Sequence, residues 1–232
     1  MPATPSTPTS EHQTRTARTT VALLGAGALA GPLYIAVATL QILLRDGFDP
    51  TVHPVSALSN GAFGWVQIAN FIVAGMLTFA GAIGLRRLLT GSRAGTWAAD
   101  LLAVYGLSLV AAGVLVADPV AGFPPDATVP AQDQLSASGL GHFAAGGLGF
   151  LAFTAACLCM ARHHRATGRT RAARIAILVG LGFLFAFAGI ASGGGAPALN
   201  LAFTAAVIVA WTWVTTLFIT HRRQTAPPTV RT

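Results

Sequence analysis

The chain has 232 residues, of which 53% are hydrophobic and only 9% charged, with a mean hydropathy of +0.65. A soluble domain carries about a quarter of its residues as charges, so the composition excludes one and leaves a single polytopic membrane domain. The formal charge is +7, yet no exposed basic face interleaved with stacking aromatics accompanies it, which excludes a nucleic-acid partner.

Residues 1–19, MPATPSTPTSEHQTRTART, are rich in Pro, Thr and Ser without apolar periodicity and read as a disordered tail. A bilayer core takes about 20 mainly apolar residues per helix. Six segments meet that length: Thr20–Leu44, Gly64–Leu85, Thr96–Ala117, Ser138–Ala161, Ala172–Ala191 and Pro197–Thr220. The expected fold is therefore an all-α integral membrane protein, a six-helix transmembrane bundle over residues 20–220, with a second disordered tail at 221–232. Arg15, Arg18 and the triplet Ala28-Leu29-Ala30 resemble a signal peptide, but the apolar run continues to Leu44, which fits a retained helix. Pro32 should kink that helix.

All 14 basic residues are arginine, which with abundant Ala and Gly suggests a GC-rich bacterial genome. Thirteen of them lie in the two tails, in the even-numbered loops or, for Arg174, in the first turn of the fifth span next to such a loop, and only Arg45 falls on the other side. Cytoplasmic loops carry the excess of basic residues, so both termini should be cytoplasmic, in a bacterial plasma membrane. Asp46, Asp49, Asp118, Asp126 and Asp133 then lie outside. The basic balance is a topology signal, aided by anionic lipid headgroups.

Gly27 and Gly31 form a G-x-x-x-G on the first span and GLGHFAAGGLGF crowds the fourth, small residues that let helix backbones approach closely. Trp65, Trp97 and Trp213 fit interfacial belts. Cys157 and Cys159, two apart on one helix, cannot pair locally and read as packing residues.

The polar residues within the spans, Gln41, Gln67, Asn70, His142 and Asn200, all fall in the outer half. Two outer loops, 45–63 and 118–137, cap them. The expectation is an outward-facing polar pocket rimmed by DGFDPTVHPVS, in which Arg45, Asp46, Asp49 and His53 stand above Asn70, Asp118 and His142.

Three uses of such a cluster compete with a purely structural one. Arg45 and the amides could hold a lipid headgroup or small solute, with acyl chains between the helices. His53, His142, Asp118 and Asp46 could bind zinc and activate water for a membrane hydrolase, although no H-x-x-x-H pair fixes two ligands on one helix. Ser56 could be a nucleophile with His53 or His142 as base; more simply, Ser56 caps a short helix and Asp49-Pro50 starts another. In the structural reading Gln67, Asn70, His142 and Asn200 only hydrogen-bond across helices. Haem would need facing histidine pairs, and His142 alone is embedded. No cofactor is expected, and the balance leans against an enzyme.

RDGFDPTVHPVSALSNGAFGWVQ, then ADPVAGFPPD and the His of GLGHF, resemble the actinobacterial branch of the membrane family designated domain of unknown function 998. That resemblance implies a multi-helix membrane protein with Ser56, Asp118, Pro124 and His142 as signature positions, and it implies no activity.

Overall fold

The computed structural model describes residues 8–120, 122–125, 127–128, 134–192 and 196–225. Asp126 and Asp133, expected on the outer side, lie outside the described residues. Among the described residues six α-helices carry the chain back and forth: α1 (Pro8–Leu44), α2 (Gly64–Leu88), α3 (Arg93–Val114), α4 (Ala137–Ala166), α5 (Thr170–Ala191) and α6 (Pro197–Thr225). Each is long and apolar enough to cross a membrane, and no strand occurs among the described residues. The chain is an all-α, multi-pass membrane-type bundle.

Two helix ends differ from expectation. Residues 8–19 are helical rather than a disordered tail, and α6 continues five residues past Thr220. Within these polar turns Thr19 and Thr20 donate their hydroxyls to the carbonyls of Arg15 and Thr16, and Thr225 to that of His221. Polarity sets the apolar span; it does not stop the helix.

Each helix packs on its neighbour in sequence, and α6 closes the ring against α1. The centre is aromatic. Trp211 of α6, almost wholly buried, lies 5.1 Å from Tyr34 of α1 and 5.9 Å from Tyr105 of α3, which in turn meets Phe153 of α4 at 5.3 Å. Trp65 and Trp97 are exposed, as belt residues must be. Trp213 is not: it is buried edge-on to Phe153 at 5.9 Å, because α6 has neighbours on both flanks and Trp211 and Trp213 fill different ones.

Glycine sets the closest helix approaches. A Cβ on Gly27 would stand 2.6 Å from the Cα of Gly81 on α2, under the ring of Phe218. A Cβ on Gly75 would stand 2.5 Å from the carbonyl oxygen of Gly106 on α3. In lipid, where burial of apolar surface supplies no drive between helices, this close packing is what holds them. α1 runs unbroken through Pro32.

A second, smaller core closes one end. Loop 45–63 contains a short 3-10 helix, Val55–Ser59, and its Ala57 and Leu58 are buried with Phe123 of the other loop, against Ile42, Phe48, Val55 and Val120. Gly47 and Gly61 both have positive φ, +77° and +76°, and the rings of Pro125 and Pro124 occupy the space a side chain would need. Only glycine satisfies both demands. The two loops thus lock into one cap.

Candidate functional site

The cap begins one residue past α1. There Arg45 donates to the carbonyl oxygens of Leu58 (3.1 Å) and Asn60 (2.7 Å), and its guanidinium lies 5.1 Å from the centre of the Phe123 ring. Asp46 is exposed in the turn that follows. Asp49 begins a turn and not the helix expected of its Asp-Pro pair, since no helix starts between Leu44 and Val55. Its Oδ1 accepts from the hydroxyl (2.7 Å) and backbone N–H (2.8 Å) of Thr51, and these bonds hold its carboxyl below the ordinary carboxylate range.

His53 closes that turn. Its Nδ1 accepts from the backbone N–H of Asp49 at 2.9 Å, which leaves the proton of a neutral ring on Nε2. The ring sits 5.4 Å from that of Phe48 and 5.5 Å from that of Phe123, buried in the small core. Ser56 does not cap a helix: the 3-10 turn starts from Pro54, whose fixed φ of −66° and extended ψ provide the entry, and Ser56 lies inside it.

Beneath the cap, α3 and α4 are tied at their facing ends. His142 Nδ1 lies 2.9 Å from the carbonyl oxygens of both Ala112 and Leu115, so its ring N–H satisfies last-turn carbonyls of α3 that have no helical partner. Asp118 Oδ2 accepts from the backbone N–H of Ser136 at 2.9 Å and lies against Gly139, placing a negative charge at the positive end of α4. Ser136 is itself the N-cap, accepting from the N–H of Gly139 at 2.9 Å.

Between α1 and α2 lies a seam of buried amides. Gln41 donates to Gln67 Oε1 at 2.8 Å, and Asn70 donates to the same oxygen and to the Tyr34 carbonyl, each at 3.2 Å. Gln41 Oε1, Gln67 Nε2 and Asn70 Oδ1 are left buried without a hydrogen-bond partner.

The residues expected around a polar mouth are therefore gathered at one end, but they do not converge on a common space. Arg45, Asn70 and His142 hold carbonyls; Asp49, His53 and Asp118 hold amides. Where the open mouth was expected, the Phe48–His53–Phe123 cluster fills the interior of the cap. Nor do the residues fit the zinc that His53, His142 and Asp118 suggested. Among the described residues no three His, Cys, Asp or Glu side chains form a group that could hold a metal ion, and Nδ1 of each histidine is engaged with backbone. Both bases that could serve a Ser56 nucleophile are occupied at Nδ1.

One group escaped the sequence reading. His163 and His164 follow the fourth expected span and His221 follows the sixth, each beside arginines that were read only as topology signals. They meet at the opposite, arginine-rich end of the bundle, where His164 and His221 line a concavity. The available signal was the position of three histidines just past the ends of apolar runs.

Neither the curated proteins nor the solved structures contain a match to this chain. A family model matches residues 28–220, from the first helix to the sixth, and so takes in the cap, the amide seam and the histidines at 163 and 164. The chain belongs to the family described as Protein of unknown function (DUF998).

Proposed function

We propose that this is a non-enzymatic multi-pass protein of the bacterial plasma membrane, with both termini cytoplasmic and its outward end sealed by the two-loop cap. The observation that supports this reading is the way the polar residues of that end are spent on backbone groups. A catalytic acid, base or nucleophile must present a reactive atom to a substrate, whereas Arg45, Asp49, Asp118 and His142 each complete a turn or a helix end. The direct test compares the wild type with His53→Ala/His142→Ala by thermal unfolding and by native mass spectrometry from nanodiscs. This reading expects a lower melting temperature with the same co-purifying species. An unchanged melting temperature together with loss of a bound species would overturn it.

A second reading, binding of a lipid or small solute from the outer leaflet, is favoured by the amide seam. Leaving a buried polar atom unpaired costs about 1–3 kcal/mol, and Gln41, Gln67 and Asn70 each leave one. A hydroxyl or carbonyl-bearing ligand reaching the seam would satisfy them. A lipid- or quinone-sized adduct lost specifically in Gln67→Leu would support this reading; the same adduct in both proteins would count against it.

A further inference from the structure

We propose that the concavity between α4, α5 and α6 at the arginine-rich end binds a phosphoryl anion, as carried by the headgroup of an anionic phospholipid or by free phosphate. It encloses about 160 Å³, and His164, Arg169 and His221 line it together with Trp213, Leu217 and Ile175. The wall is mostly apolar; His164, Arg169 and His221 are its titratable members, and no carboxylate lines it.

Three independent features point to an anion. First, His164 is only 7% exposed, and its Nδ1 is buried with no hydrogen-bond partner. Second, the exposed Arg169 lines the same concavity and brings a positive charge to it. Among the described residues the one ion pair is Arg86–Asp100, so Arg169 is not neutralised by a carboxylate there. Third, Arg169 is the N-cap of α5 and no side chain caps that helix, leaving first-turn amides to add their dipole at the same point.

The chemistry fits a phosphoryl group better than a single-point acceptor. Several oxygens on one centre can take the planar Arg169 fork together with a proton on His164 Nδ1, while His221, whose Nδ1 donates to the Leu217 carbonyl at 2.9 Å, shapes the wall without donating. Ile175, 54% exposed on the outer side of α5, continues the wall as apolar surface along which an acyl chain can lie. Such a lipid would belong to the leaflet that the arginine-rich loops face, whose anionic surface attracts them. This site is separate from the cap and does not depend on its role.

The test uses the full chain in nanodiscs of phosphatidylcholine alone or with phosphatidylglycerol, released for native mass spectrometry. Arg169→Gln and His221→Gln are compared with Arg223→Gln, an exposed arginine of the same end that does not line the concavity. The expected result is retained phosphatidylglycerol in the wild type and in Arg223→Gln, with about tenfold less in Arg169→Gln, the scale of one lost hydrogen bond to a charged group. Because Arg169 is exposed, its variant tests the site even if His221→Gln fails to fold. If millimolar inorganic phosphate instead raises the melting temperature in phosphatidylcholine discs, and Arg169→Gln abolishes that rise, free phosphate is the source. Equal lipid retention in the wild type and Arg169→Gln, an equal loss in Arg223→Gln, or no response of the wild type to either probe would overturn the proposal.

Discussion

Asn200, near the start of α6, donates from one amide nitrogen to the carbonyls of Pro50 (2.8 Å) and His53 (3.0 Å), nearly 150 residues earlier in the chain. This pair of bonds fastens the last helix to the first loop. Asn200→Ala strips two carbonyls of a donor, and the expected loss is about 1–3 kcal/mol, read as a lowered melting temperature. Asn200→Asp should lose at least as much, since a carboxylate would face the same two oxygens. Equal stability of all three proteins would show that the clamp carries nothing.

A second expectation concerns helix packing. Gly27→Val would drive its side chain into Gly81 and the Phe218 ring, and Gly75→Val would strike the Gly106 backbone. Overpacking of this kind costs about 1–3 kcal/mol, and each variant should unfold at a lower temperature. Gly147→Val is the control, because nothing lies within 4 Å of a Cβ built there. If the control falls as far as the other two, glycine contacts are not what distinguishes these positions.

The Asp49 turn should respond to pH. The side-chain and backbone hydrogen bonds of Thr51 hold the folded carboxyl below its ordinary range. The contribution of the turn is therefore present above the unfolded-state pKa and lost as pH falls through the folded one. NMR titration of the carboxyl carbon should give a midpoint below that of an unstructured aspartate, with the Thr51 amide exchanging faster once Asp49 is protonated. Asp49→Asn should remove this pH dependence. A midpoint at or above the unstructured value would contradict the geometry.

Orientation has its own measurement. In a Cys157→Ala/Cys159→Ala background, Thr128→Cys should react with a membrane-impermeant maleimide in intact cells, whereas Ala166→Cys should react only after lysis. Both positions are exposed, so reactivity reports the side of the membrane and not burial. The reverse pattern would place the cap in the cytoplasm.

Much of the fold was legible because a span is a property of composition: about 20 apolar residues in a row announce themselves, and all six did. The helix ends were not, since Thr, Gln and Arg read alike in a helical turn and in coil. The polar residues lie together at one end, but their partners were not legible. Arg45, His142 and Asn200 bind carbonyls of Leu58, Ala112 and Pro50, and a backbone carbonyl has no signature in sequence. Polar residues read without those partners look available for a ligand. Trp213 failed for a related reason: its place in sequence suits a belt, but whether α6 has a neighbour on that flank is decided by the closure of the ring.

Hydrogen exchange of loop 45–63 in the membrane-embedded protein tests the closed cap most directly. The N–H groups of Val52, His53, Ala57 and Asn60 all donate to backbone carbonyls within that loop, and His53, Ala57 and Leu58 are buried. A sealed cap predicts that peptides covering residues 50–60 exchange orders of magnitude more slowly than an unstructured chain, and that Asn200→Ala abolishes the protection. Exchange at the unprotected rate in the wild type would mean an open, solvent-filled mouth and would contradict the account.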